Sequence, residues 1–143
     1  MSTRQLHLIN NPLMQIHGLN VAIKSALATA CRESHLSREQ ILDRINQFAA
    51  SAGVRLTSGN ASALSLATLE KWLNPSESEH VPTLRGLAAI CHILGTLEPL
   101  SPLAGVLGGL VINEEQRHRL MRAELDDQIR ALKRRKKLLE ADL

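Results

Sequence analysis

The sequence predicts an all-α protein with five helices in one domain and a long helix at the C-terminus. Apolar residues recur every three or four positions in several separate segments, which is the spacing of amphipathic helices. Residues that favour helix ends lie at the borders of these segments. The core is expected to be aliphatic, because Phe48 and Trp72 are the only aromatic residues among 143. We divide the chain into an N-terminal arm (1–16), a helical domain (17–112) and a C-terminal helix (113–143).

The first third of the chain predicts an arm and two helices. Residues 1–16 lack a clear period and are expected to be extended, packed through Leu13 and Ile16. The helix over about 17–33 carries an apolar face of Leu19, Ile23, Leu27 and Cys31. The second helix begins at a capping box, in which the Ser37 hydroxyl and the Gln40 side chain satisfy each other's backbone N–H groups. Its buried face, up to about Ala50, is predicted to contain Ile41, Ile45, Phe48 and Ala49.

A short helix over 65–74 lies in the middle of the predicted domain. Ser65 can cap its first backbone N–H groups, and the pair Asn74–Pro75 ends it. Its apolar stripe consists of Leu66, Leu69, Trp72 and Leu73. The preceding residues 51–63 are rich in small and polar types, which predicts a long loop with a brief extended piece at 54–57.

Two further helices complete the domain. The fourth opens at Val81–Pro82, because proline suits the first turn of a helix, and Gly95 ends it. Its apolar repeat is Leu84, Leu87, Ala88, Cys91 and Leu94. The fifth helix, over about 98–107, is predicted to bury Leu100, Leu103, Ala104 and Leu107. The pair Gly108–Gly109 ends it, and residues 110–112 are expected to be extended.

The last 31 residues predict one long helix. Asn113 can cap it, and acidic residues follow in its first turn. Leucines recur every seven residues with isoleucine at a complementary position, which predicts a dimerisation face at Leu125, Ile129, Leu132 and Leu139. Because His118, Arg122 and Lys136 fall on the same face, the pattern also permits a helix that packs against its own domain.

The charge totals do not mark the helical domain as strongly basic. The net charge is +3 and the isoelectric point is near 9.2. The first 112 residues contain 8 Lys and Arg and 7 Asp and Glu, whereas the last 31 contain 9 and 7. These totals indicate a polyanion partner only weakly.

Several function classes lack the residues that they need. The six histidines are scattered and form no metal-ligand or triad pattern, and there is no glycine-rich phosphate loop. No apolar run approaches the length that crosses a bilayer. Cys31 and Cys91 fall at apolar helix positions, which predicts reduced core thiols in a cytoplasmic protein. We therefore expect no enzymatic activity, metal, cofactor, small-molecule substrate or membrane partner.

The segment Ser65–Asn74, followed by Pro82–Cys91 and by Leu94–Gly95, resembles the helix-turn-helix domain of the Cro/λ-repressor family. The likeness covers about residues 17–107 and implies a five-helix λ-repressor-like fold that binds double-stranded DNA. By position it implies base-facing residues at Leu66, Ala67, Thr68 and Lys71, with phosphate contacts at Ser65 and at Arg38 or Gln40. The overall layout also resembles small proteins of Mu-like, transposable bacteriophages and prophages, which implies a role in transcription regulation.

Two functions are compatible with these observations. In the first, the protein is a phage-type DNA-binding regulator that forms a homodimer through the C-terminal helix, with added phosphate contacts from Arg130, Lys133 and Arg134. In the second, the helix-turn-helix fold serves a non-enzymatic protein–protein interaction. The near-neutral domain, the long loop at 51–63 and the leucine-bearing tail favour the second function.

Overall fold

The structure, a computed structural model, describes residues 12–77 and 79–142, with the backbone alone for residues 12–14. Within these residues the chain is helical and contains no β-strand, which confirms the all-α prediction. The described elements are α1 Pro12–His17, α2 Leu19–Glu33, α3 Arg38–Ala52, α4 Leu66–Leu73, α5 Leu84–Leu94, a 3₁₀ turn Glu98–Leu100, α6 Ser101–Val106 and α7 Glu114–Ala141. The chain divides into two compact units, the first reaching Val111 and the second starting at Ile112.

The first unit is built around α2, which packs against α4, α5, α6 and the 3₁₀ turn. The helix α3 packs against α4 and α5 and completes the core. This core is almost entirely aliphatic, as the composition predicts, with Trp72 as a buried aromatic side chain. Its most deeply buried apolar members are Leu27, Ile41, Ile45, Leu69, Ala89 and Ile90. Removal of their apolar surface from water is the main favourable contribution to this fold.

Three helix ends in this unit carry the capping residues that the sequence predicts. The Ser37 hydroxyl accepts from the backbone N–H of Gln40, whose side chain accepts from the N–H of Ser37, so the capping box is confirmed. Ser65 caps α4 by accepting from the N–H of Thr68. Gly95 ends α5 at a φ of 64°, a left-handed conformation that glycine adopts without a steric penalty.

The prediction that α5 opens at Val81–Pro82 is wrong. The Thr83 hydroxyl caps the helix by accepting from the N–H of Gly86, so α5 begins at Leu84.

The long loop between α3 and α4 is fixed to the core at several points. Leu56 and Leu64 of this loop are buried. The side-chain amide of Asn46 in α3 donates to the carbonyl of Leu64 at 3.0 Å and accepts from its N–H at 2.8 Å. The Thr83 hydroxyl donates to the carbonyl of Leu56. These contacts satisfy backbone polar groups next to the core and hold the beginning of α4 in place.

Lys24 in α2 is a fully buried lysine. Its ammonium group donates to the carbonyl oxygens of Glu77 and His80, the latter at 2.7 Å. Burial lowers the pKa of Lys24, and the negative charge of Glu77 opposes that shift. The contact therefore ties the loop between α4 and α5 to α2.

The N-terminal prediction is wrong where the structure describes it. Residues 12–17 form the short helix α1 rather than an extended arm, because Pro12 stands at its first position, where the fixed φ of proline favours a helix. Ile16, which was expected to pack, is 56% exposed. The side chain of Leu13 and all of residues 1–11 lie outside the described residues.

The two predicted extended pieces, at 54–57 and 110–112, are irregular loops. Neither forms a strand, because no other extended segment lies beside it among the described residues to complete a backbone ladder. Leu56 is nevertheless buried, so the first piece contributes to the core without regular structure.

Six apolar side chains that the periodicity assigned to buried faces are exposed: Phe48, Leu66, Leu84, Ala88, Leu103 and Leu107. The Phe48 ring stacks on the His92 ring at a centroid distance of 4.5 Å, so one face is covered and the other is not. Leu66 and Leu84 are the first residues of their helices, where less of the fold covers the side chain. The predicted helix over 98–107 is a 3₁₀ turn followed by the short α6. These two short elements do not form one continuous apolar face, and Leu103 and Leu107 are therefore exposed.

The second unit consists of α7 and the residues around its ends. Asn113 and Gln116 form a capping box, which confirms the predicted helix start. No side chain of Glu114–Ala141 is buried. Ion pairs one turn apart, such as Glu140 with Lys136, stabilise a helix by roughly 0.2–0.5 kcal/mol each. Within this unit, α7 is therefore stabilised by local interactions, namely the capping box and the ion pairs along the helix.

Candidate nucleic-acid interface

The helix α4 presents one side to the core and the other to solvent. Its buried side consists of Leu69, Trp72 and Leu73. The four residues that the resemblance assigns to bases lie elsewhere on the helix: Leu66, Ala67 and Lys71 are exposed, and Thr68 is half-buried. Since α2 and α3 both pack against α4, the exposed side is presented on a rigid support.

The first turn of α4 is organised by two hydroxyl groups. The Ser65 hydroxyl accepts from the backbone N–H of Thr68 at 3.2 Å and donates to the Thr68 hydroxyl at 3.0 Å. Ser65 is thus engaged as a cap, and its predicted role at a phosphate competes with that cap. The N–H groups of Leu66 and Ala67 belong to the first turn, where no intrahelical acceptor exists, so they suit an anionic ligand.

A groove follows the border between α2 and α4, and three basic side chains line it: Arg32, Arg38 and Lys71. The hydroxyl-bearing Ser25 and Thr29 also line it, as do two carboxylates, Glu70 and Glu77. Positive charges thus outnumber negative charges by one in this groove. Arg38 and Lys71 are 33 positions apart in sequence, and the fold brings them to one surface.

Arg38 has a hydrogen-bond donor with no acceptor. Its Nη1 atom is buried and has no hydrogen-bond partner among the described residues. The guanidinium group lies close to the Cys31 thiol: burial raises the pKa of Cys31, while the charge of Arg38 lowers it and that of Glu70 raises it further. Arg38 lines the groove, and its positive charge favours an anion there although the Nη1 atom itself is covered.

Gln40, the alternative phosphate candidate, is placed differently. Its Oε1 atom accepts from the N–H of Ser37 at 2.9 Å, so the side chain is held by the capping box. Gln40 is exposed, and the groove beside Lys71 is lined by Arg38 instead. The structure therefore brings Arg38, and not Gln40, together with the predicted face of α4.

A second depression borders the other side of α4 and was not predicted from the sequence. Thr68 and Lys71 of the helix line it together with Thr57 and Ser58 from the long loop and His80 from the next one. Lys71 thus stands between two concave surfaces. The Ser- and Thr-rich composition of the long loop was the signal available in the sequence, because hydroxyl groups are common phosphate ligands.

The helix α7 carries its own basic strip. Arg130, Lys133 and Arg134, the predicted phosphate contacts, line one surface patch together with Lys137, which was not predicted. Arg130 also pairs with Asp127 at 3.6 Å. The predicted dimerisation residues are all between 48% and 64% exposed: Leu125, Ile129, Leu132 and Leu139.

Metal-binding clusters and membrane-spanning helices are absent from the described part of the chain. No group of three His, Cys, Asp or Glu residues there is arranged to hold a metal ion. None of the described helices is long and apolar enough to span a bilayer. Cys31 and Cys91 are buried, and burial raises the pKa of both thiols, so neither is an activated nucleophile. Comparisons with protein-family models, with curated proteins and with solved structures gave no match.

Proposed function

We propose that this chain is a non-enzymatic DNA-binding protein that regulates transcription, of the kind found in transposable phages and prophages, and that it acts as a dimer. The observation that supports this most is the groove in which Arg32, Arg38 and Lys71 meet beside the exposed side of α4. A capped helix on a rigid support, with cations next to it, is the arrangement that helix-turn-helix proteins use in the major groove.

In this proposal the exposed side of α4 faces base edges. Leu66 and Ala67 supply apolar contacts to thymine methyl groups, and Thr68 supplies hydrogen bonds. Lys71, which lines the groove with Arg38, contacts the neighbouring phosphate instead. This face has no Arg, Gln or Asn, which are the side chains that discriminate bases best. We therefore expect modest sequence preference and an affinity that depends chiefly on phosphate contacts.

Phosphate contacts come from two separate surfaces in this proposal. On the first unit, Arg38 and Lys71 bind the backbone beside α4, and the nearby carboxylates of Glu70 and Glu77 limit how closely an anion approaches. On the second unit, Arg130, Lys133 and Arg134 add further cations. A dimer formed through α7 doubles both sets, and linked binding of two copies increases the total affinity.

An anisotropy titration of the full chain against a labelled duplex at about 50 mM salt tests this proposal, since phosphate contacts are strong at low salt. We expect Lys71→Ala and Arg38→Ala each to weaken binding about tenfold, as is typical for a hydrogen-bonded charge pair. Arg44→Ala on the exposed side of α3 is the matched control, because it removes the same charge away from the groove. Equal losses for Arg44→Ala and Lys71→Ala would mean that the groove is not the binding site.

A second candidate function is a protein–protein interaction through the same fold. The exposure of Leu66 and Ala67 favours it, because exposed apolar side chains in the first turn of α4 suit a protein partner. Absence of binding to any duplex at about 50 mM salt would contradict the DNA-binding proposal and leave this second function.

A further inference from the structure

The charges of α7 are unevenly distributed along the helix. Residues 114–127 contain five acidic and three basic side chains, a net charge of −2. Residues 128–142 contain six basic and two acidic side chains, a net charge of +4. No side chain of the helix is buried, and the ion pairs that some of these charges form within the helix are exposed to solvent.

The helix dipole does not account for this pattern, and ion pairs within the helix, such as Asp127 with Arg130, involve only some of these charges. Acidic residues favour the N-terminal end and basic residues the C-terminal end of a helix, but this effect is limited to the first and last turns. Glu124, Asp126 and Asp127 lie in the middle of α7, and the basic run Lys133–Lys137 ends before its last turn. The charges near the centre therefore point to an interaction between helices.

The apolar stripe of α7 has charged residues at both ends. Leu125, Ile129 and Leu132 form its centre, whereas Arg122 and Lys136 occupy the flanking positions of the same seam. In a parallel pair, each of these cations would meet its own copy across the interface. Two like charges held together beside an apolar seam destabilise such a pair.

We propose that α7 pairs with α7 of a second copy in an antiparallel orientation; this inference rests on the dimer that the proposed function includes. The antiparallel orientation places Glu124, Asp126 and Asp127 of each helix against the basic run of the partner. With Ile129 level with the partner's Leu132, Asp126 lies beside the partner's Lys133, and Lys136 lies against the partner's Leu125. Ile129 and Leu132 of the two copies form the buried apolar centre, the like charges are separated, and the two helix dipoles oppose each other favourably.

Distances between identical positions distinguish the two orientations. A helix rises about 1.5 Å per residue. With this register, spin labels at position 117 of the two copies are separated by about 40 Å along the axis, and labels at position 141 by about 32 Å. In a parallel pair, identical positions are level and differ only by the spacing of the helices, about 10 Å between axes plus the length of the labels.

The test is pulsed electron–electron double resonance on the full chain. Spin labels are attached in separate samples at Arg117→Cys and at Ala141→Cys. Native Cys31 and Cys91 are buried, and a wild-type sample carried through the same labelling measures any signal from them. We expect the two long distances given above. Short distances at both positions, or a monomer in sedimentation at the same concentration, would overturn the proposal.

A charge exchange provides an independent check by sedimentation. Asp126→Lys places a lysine beside the partner's Lys133 at each of the two equivalent contacts. We expect this repulsion to weaken the antiparallel dimer about tenfold. Adding Lys133→Asp to the same chain restores the pairs and should restore the dimer. In a parallel pair, positions 126 and 133 do not face each other, so an unrestored double variant would contradict the proposal. Lys133 is also a proposed phosphate contact, so the DNA-binding proposal is judged on the α4 variants alone, in which α7 is unchanged.

Discussion

The first unit and α7 use apolar residues in opposite ways. In the first unit, α2 to α5 bury a shared aliphatic core and fix their loops with side-chain hydrogen bonds such as that of Asn46 to Leu64. In α7, leucines and an isoleucine recur at helical spacing, yet no side chain is buried. The same apolar periodicity therefore occurs in helices of the first unit, which pack against one another, and in α7, whose apolar side chains are exposed.

This difference predicts where a mutation acts. A substitution in the first unit changes the free energy of unfolding, because neighbouring side chains cannot fully fill the space that is lost. In the proposed dimer, a substitution on α7 should change association between copies and leave the first unit intact. Trp72, a single tryptophan in the first unit, reports unfolding of that unit alone by fluorescence.

The largest effect is expected from the same substitution made in both regions. Leu27→Ala removes a fully buried side chain of α2 and should lower the free energy of unfolding by about 3 kcal/mol, measured by urea denaturation with Trp72 fluorescence. Leu132→Ala on α7 should change that value by less than about 0.5 kcal/mol, while it weakens the dimer in sedimentation. Equal destabilisation by the two variants would show that α7 belongs to the core of the first unit.

Gly86→Ala tests the close approach of α5 to Trp72. A Cβ atom at Gly86 would lie 2.5 Å from two atoms of the Trp72 ring, so the ring has to move. We expect a loss of about 2 kcal/mol in unfolding free energy and a shifted tryptophan emission. Gly105→Ala in α6 is the matched control, because no atom lies within 4 Å of its added Cβ. An unchanged emission in Gly86→Ala would contradict the described packing.

Lys24→Met removes the donor that joins α2 to the loop between α4 and α5. The carbonyl groups of Glu77 and His80 lose this partner, and we expect a loss of roughly 2 kcal/mol in unfolding free energy. Lys71→Met removes an exposed lysine and should change stability by less than about 0.5 kcal/mol in the same urea experiment. Similar effects of the two variants would show that the buried contacts of Lys24 do not stabilise the fold.

The difference in unfolding free energy between the wild type and Lys24→Met should depend on pH in a defined direction. Burial lowers the pKa of Lys24 from its usual 10.5, so the folded protein binds fewer protons than the unfolded chain between the lowered pKa and 10.5. The stability of the wild type relative to Lys24→Met should therefore rise with pH in this window and level off above 10.5. A difference that stays flat or falls would contradict a lowered pKa.

Local features of the fold were predictable from the sequence, and contacts between distant residues were not. The capping box at Ser37 and the cap at Asn113 were recognised because the residues involved lie within four positions of each other. Lys24 was missed because its acceptors are backbone carbonyls more than 50 positions away, which no periodicity indicates. Asn46 likewise looks like an ordinary polar helix residue until the loop that it holds is seen.

The candidate site likewise contains one part that the sequence predicts and one part that depends on contacts between distant residues. The exposed side of α4 follows from the helical period, since the buried Leu69, Trp72 and Leu73 fix the orientation of the helix. The proximity of Arg38 to Lys71 depends on how α2, α3 and α4 pack, and spacing alone does not reveal it. The resemblance named both residues, and the fold places them together.

The salt dependence of duplex binding tests the central claim most directly. The logarithm of the affinity of the full chain should fall linearly with the logarithm of the salt concentration, because each phosphate that is contacted releases counterions. Replacing both Arg38 and Lys71 by alanine should reduce the slope by about 2 per chain, roughly one for each phosphate contact that is lost. A slope that is the same in this double variant and in the wild type would contradict the claim that these side chains bind phosphates.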